Sequence, residues 1–183
     1  MKTLSLLLLL FVFSLSIVAQ SSTSDSLLPC LYKVCETYDK FDDSTILRLQ
    51  TSLIQNSIMD GKQSLMMDLI SKFDGTKPTD NNLILLTLDS IDISRNYSPT
   101  SSLVFLIDDS DRIRPKFAKY DSSSDRLMYL DIRKENVSFV ISQEDLKKLA
   151  LSKSNRARLD STEFTFDDIS LKYIREFHEK LVP

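Results

Sequence analysis

The side chains and turns most used for catalysis, metal binding and phosphate binding are scarce here: one histidine, two cysteines and two glycines in 183 residues. His178 is the only imidazole available as a base near neutral pH. It sits between Phe177 and Glu179, among the charges of Arg175, Glu176 and Lys180. A Ser-His-Asp triad would have to use it, yet no Gly-x-Ser-x-Gly turn presents a serine nucleophile. A tetrahedral zinc site would lack its usual His and Cys ligands. The plainer role for His178 is a solvated position near a helix C-terminus, where the helix dipole favours a cation. Gly61 and Gly75 stand alone, so the glycine-rich loops that bring backbone N–H groups up to a phosphate are absent. No cofactor is expected.

Cys30 and Cys35 are five residues apart. On a regular helix that spacing points the thiols to different sides, too far apart for a bond. The segment is therefore either non-helical and bridged, or helical with free thiols. Four residues intervene, not the two of a Cys-x-x-Cys redox motif.

The acids nominate little. Asp108, Asp109 and Asp111 could offer oxygens to calcium, but they lack the glycine and terminal glutamate of an EF-hand loop. Aspartates in such a run suit a hairpin turn. Asp39, Asp42 and Asp43 read as a helix entry. Two carboxylates meeting in space could hydrolyse a glycoside, though nothing in the chain singles out a pair.

The basic residues carry more pattern. Arg112, Arg114 and Lys116 alternate, as do Arg156 and Arg158. On strands, each set projects to one face. If the strands were neighbours, the sheet would carry a cationic patch suited to an anionic ligand such as a sugar acid or a surface polymer. The alternative is an ordinary solvated face balanced by acids. Asn96-Tyr97-Ser98 and Asn136-Val137-Ser138 match the glycosylation acceptor pattern, the first weakened by Pro99.

These residues must be held by elements that the pattern of apolar positions should reveal. Residues 1–19 read as a signal peptide: Lys2, an apolar run from Leu4 to Val18, and a small-residue exit at Ala19. The run is short for a membrane span of about 20 residues. What remains is the size of one ordinary domain. Residues 20–42 read as a leader carrying the cysteine pair, and 43–183 as a single α+β domain. From Asp43, Ile46, Leu49, Leu53 and Ile54 recur at helical spacing, with a stop at Gly61. Leu65, Met66, Leu69, Ile70 and Phe73 suggest a second helix closed by Gly75 and Pro78. Alternation then predicts strands over 83–93, irregular near Ser90, and over 103–107, 112–120, 127–132 and 137–141. Turns are expected at 108–111, 122–125 and 134–136. Ser142 caps a helix carrying Leu146, Leu149 and Ala150. Residues 156–166 form a last strand. Asp167 or Asp168 caps a C-terminal helix striped by Ile169, Tyr173, Ile174, Phe177 and Leu181. The expected fold is α+β: an antiparallel sheet of about five strands with an N-terminal helical pair and a C-terminal helix packed on one face.

With 23 basic against 26 acidic residues, the net charge is −3, which argues against a nucleic-acid binder. The expected protein is exported and soluble, secreted or periplasmic, with no transmembrane segment. It acts as a non-enzymatic binding or structural module toward an unknown protein or an anionic surface ligand. A small secreted hydrolase with a carboxylate pair is the competing expectation.

Overall fold

Leu47, Leu49 and Thr51 alternate with Arg48, Gln50 and Ser52, and the alternation of period two, not the helical spacing, decides the segment. The computed structural model describes residues 30–54, 63–79, 82–94, 96–127 and 129–182, and here Ser44–Ile54 is a strand. The expected signal peptide, residues 1–19, and the stop at Gly61 lie outside the described residues.

The chain is mostly β, with ten strands and two helices among the described residues. In order they are β1 (Val34–Asp39), β2 (Ser44–Ile54), β3 (Ser64–Asp74), β4 (Ile84–Asp92), β5 (Leu103–Ile107), β6 (Asp111–Ile113), β7 (Lys116–Leu127) and β8 (Leu130–Ile141). Helix α1 (Gln143–Leu151), strands β9 (Asn155–Leu159) and β10 (Thr162–Thr165), and helix α2 (Asp168–Leu181) complete the chain. Two antiparallel sheets result: six strands in the order β1-β2-β3-β4-β8-β7, and four in the order β10-β9-β5-β6.

The expected N-terminal helical pair is thus overturned, and with it the α+β class. Both segments are strands with apolar residues on both faces. In β3, Leu65, Met67, Leu69 and Phe73 are buried, while Met66 and Ile70 are half-buried on the other side. Apolar residues on both faces of a strand fill the three- and four-residue spacings of a helix by coincidence. Gly75 does end the segment, at φ +68, where a side chain would be strained. Its N–H donates to the Asp43 carbonyl at 2.6 Å, tying the end of β3 to the β1–β2 turn.

Three smaller expectations also change. The turns expected at 122–125 and 134–136 lie inside β7 and β8, where their polar residues face one another: Ser122 opposite Glu135, Ser123 opposite Lys134, Ser124 opposite Arg133. A Lys134–Asp125 ion pair at 2.9 Å and an Arg126–Asp131 pair at 3.3 Å line this solvated hairpin. The last strand is a hairpin of two, β9 and β10, turning at Asp160 with φ 52. β4 runs regularly through Ser90, which takes an inward position in the alternation.

The two helices start where the sequence places them, but the stripe of α2 is shifted: Ile169 is exposed, and Ser170 and Leu171 are buried with Ile174, Phe177 and Leu181. Ser142 accepts from the Asp145 N–H, and Asp167 from the Ser170 N–H at 2.7 Å. Arg175 of α2 donates to the carbonyls of Ala150 and Ser152, at 2.8 and 3.1 Å, and so caps the end of α1. Thr51 and Ser170 share a buried hydrogen bond of 2.7 Å that fixes α2 against β2. Leu49, Leu69, Leu86 and Phe139 lie in one row across the large sheet. They join Phe105, Ala157 and Leu159 of the small sheet, and Leu146 and Phe177 of the helices, in one continuous core.

Cys30 and Cys35 lie at disulfide distance, their Cα atoms 5.8 Å apart, in a non-helical segment. Leu31 bridges Gln50 in parallel, whereas β1 runs antiparallel to β2, so the chain reverses between the two cysteines. No described helix is long and apolar enough to cross a membrane.

Candidate functional site

In the small sheet, Phe105, Ile113, Ala157 and Phe164 are buried. Their alternates therefore share the opposite, outer face. The registry across that face is simple. Leu106 of β5 stands opposite Arg112 of β6 on one side and Arg156 of β9 on the other. Val104 stands opposite Arg158, which faces Glu163 of β10. Arg114, just past β6, extends its row. The four arginines and the half-buried Val104 and Leu106 line a shallow cavity of about 310 Å³. Small-ligand sites span roughly 300–1,000 Å³. Arginines two apart on one strand are separated by about 7 Å, and the two rows, two strands apart, by about 10 Å.

Four of the five basic residues singled out by alternation are thus brought together from two parts of the chain. Lys116 is not. It opens β7 in the six-stranded sheet, opposite Val140. Pro115 explains the break: it has no N–H to donate, so β6 stops at Ile113 and the chain leaves for the other sheet.

Two aspartates in the left-handed region staple β5 to β9 at its two ends. Asp108, at φ 46, accepts on Oδ1 from the Lys153 and Ser154 N–H groups at 2.9 and 3.0 Å, and its own N–H donates to the Ser154 carbonyl. Asp160 accepts on Oδ1 from the Ser102 N–H at 2.8 Å, and its N–H donates to the Ser102 carbonyl at 3.0 Å. Aspartate tolerates this conformation and its short carboxylate bonds locally. The two staples set the register of the arginine rows.

The charge on the face is uneven. Arg156 is ion-paired to Asp109, and Arg158 lies beside Glu163. Among the described residues, Arg112, Arg114 and Arg158 make no side-chain ion pair. The Asp108–Asp111 run is spent on local work, since Asp111 also accepts from the Arg112 N–H at 2.8 Å. Among the described residues no group of three or more His, Cys, Asp or Glu side chains is placed to hold a metal.

A second polar assembly occupies the outer face of the large sheet. Arg48 donates to both oxygens of Asp68, whose residue is 4 % exposed. Asn136 donates to Asp89 at 2.5 Å, and Ser138 links Asn136 to Thr87. Burial pushes the Asp68 carboxyl above the usual range, with Arg48 pulling it part of the way back. Burial also raises Asp89, helped by the charge of Asp68. Asp68 and Asp89 are diagonal neighbours on β3 and β4. Single residues gave no sign of this pair in the sequence, because it depends on which strands pair.

His178 is half-buried on α2, held below the ordinary imidazole value by burial first and by the charge of Lys147 on α1 second. Asn136 lies in mid-strand with its amide engaged. Asn96 donates to Asp92 at 2.6 Å. Both acceptor asparagines are therefore tied into the fold.

No protein-family model, no curated protein and no solved structure matches this chain.

Proposed function

We propose that this chain is an exported, soluble, non-enzymatic binding module whose ligand is anionic and docks on the outer face of the four-stranded sheet. The observation that carries this reading is the convergence of Arg112, Arg114, Arg156 and Arg158 around Val104 and Leu106, on a chain of net charge −3. An acidic protein that gathers four guanidinium groups on one face, three of them without a carboxylate partner among the described residues, keeps donors ready for carboxylate, sulfate or phosphate oxygens. Export is supported by the signal-peptide pattern of residues 1–19, with its apolar run over Leu4–Val18, and by a cysteine pair at disulfide distance.

The test is calorimetric titration at low ionic strength with inorganic phosphate, hexyl phosphate and heparin. At least one should bind, and should weaken tenfold or more in the Arg114→Gln/Arg158→Gln double variant. The binding should also fall as salt is raised. Both residues are exposed, so an unchanged melting temperature would show that the fold is intact. If none of the three anions binds, the reading is wrong.

A carboxylate-pair hydrolase is the second reading, supported by the raised carboxyls of Asp68 and Asp89. The bonds from Arg48 and Asn136 to these oxygens count against it. Turnover of aryl glycosides that disappears in Asp89→Asn would put this reading first.

A further inference from the structure

The arginine face has three parallel parts of different character. On the β6 side stand Arg112 and Arg114, with no ion pair among the described residues. In the middle lies the apolar floor of Val104 and Leu106, half-buried between the rows. On the β9 side Arg156 is already neutralised by Asp109, and Arg158 lies across the ladder from Glu163. A linear polyanion running over both rows would meet these two carboxylates and leave the floor unused. A small ligand with one charged end would not.

Resting on the binding reading above, we infer that the ligand is an amphipathic anion: a phosphate, sulfate or carboxylate head held by Arg112 and Arg114, with an apolar body lying over Val104 and Leu106. Adjacent guanidinium forks about 7 Å apart along the chain can converge on one tetrahedral or planar acid group. The arginine stems extend the apolar floor, because their methylenes lie along it while the charged ends stay in water. A cavity of about 310 Å³ accommodates a short chain or a single ring beside the head group.

Titration compares hexyl phosphate with inorganic phosphate, hexanol and heparin. Burial of even two methylenes on the floor strengthens binding by roughly tenfold. Hexyl phosphate should therefore bind at least about tenfold more tightly than inorganic phosphate, and hexanol should not bind measurably. Arg112→Gln/Arg114→Gln should weaken both phosphates. Leu106→Ser should remove the alkyl advantage and leave inorganic phosphate as it was. Val104→Thr, which keeps the shape, should remove part of that advantage should Leu106→Ser fail to fold. Glu163→Gln should not weaken hexyl phosphate. Heparin binding with no alkyl advantage over inorganic phosphate would overturn this inference while sparing the binding reading. Silence from every anion would overturn both. Soluble lipid headgroup phosphates and free alkyl phosphates share the same chemistry. Vesicles containing a tenth phosphatidic acid separate the two sources: co-sedimentation assigns the head to a lipid, and its absence beside hexyl phosphate binding assigns it to a free small molecule.

Discussion

At the scale of single residues, Glu135 is a buried acid whose carboxylate is engaged in holding the fold. It is 2 % exposed and accepts from the Asn96 N–H at 2.8 Å, the Tyr97 N–H at 3.3 Å and the Tyr120 hydroxyl at 2.8 Å. Tyr97 in turn donates to Thr162 of β10, so the carboxylate anchors the loop that carries the chain from one sheet to the other. Truncation to alanine leaves two backbone donors without their acceptor. Glu135→Ala should cost about 3 kcal/mol in denaturant unfolding; a loss below about 1 kcal/mol would mean that water replaces the carboxylate. Asp89 makes a different prediction. Its carboxyl is raised in the folded state, so the fold binds this proton more tightly than the unfolded chain does. The stability it contributes is present below roughly pH 4 and is lost as pH rises through the raised value. Asp89→Asn keeps an oxygen to accept from Asn136 and removes the ionisation, so it should flatten the stability profile just above pH 4. A profile unchanged by this substitution would show that Asp89 does not couple to folding. The sequence displayed the arginine alternation because a period of two is a local property. It could not display the Asp68–Asp89 juxtaposition or the partners of Glu135, which belong to strand pairing across tens of residues.

At the scale of elements, the two helices were legible and strands β2 and β3 were not. Ser142 and Asp167 announce helix starts through short-range bonds to residues three positions on. Such caps do not depend on tertiary context, and Asp167→Ala should cost about 1 kcal/mol in thermal or denaturant unfolding. β2 and β3 have no comparable local marker. Their apolar residues on both faces satisfy a helical template, and only pairing with each other and with β4 decides between the alternatives. The β7–β8 hairpin was hidden for the opposite reason, since serines, aspartates and lysines that pair across it resemble turn residues one strand at a time. The Asp108 turn links this scale to the site. Asp108→Ala removes two bonds to the Lys153 and Ser154 N–H groups and strains a left-handed residue. It should weaken hexyl phosphate binding although Asp108 does not line the cavity. Asp108→Asn keeps both the acceptor oxygen and the tolerance for positive φ, and should preserve binding. Equal loss in the two variants would mean that the charge itself is what matters.

At the scale of the whole molecule, both sheets are built chiefly from sequential neighbours, each with one long-range pairing: β4 with β8 in the large sheet and β5 with β9 in the small one. β1 to β4 form a meander, and β7 with β8 a hairpin. The cysteine pair closes a loop of only a few residues beside β1, so reduction, or replacement of both cysteines by serine, should lower stability by about 2 kcal/mol or less. A larger loss, read by urea unfolding with and without reductant, would show that the clip holds more than the end of β1. The sequence pointed to antiparallel pairing throughout, and that is what both sheets contain. Their partition into six and four strands lay in long-range contacts and was out of its reach.

The pairing of β5 with β9 joins Leu106 to Arg156, fifty positions along the chain. During synthesis, the meander can assemble as soon as β4 has emerged, while Arg112 and Arg114 wait beside a strand, β5, whose other edge still lacks β9. Closing so long a loop is slow relative to the local hairpins. The arginine face therefore comes into being late: a growing chain can hold the first four strands of its large sheet well before the two arginine rows stand on one surface.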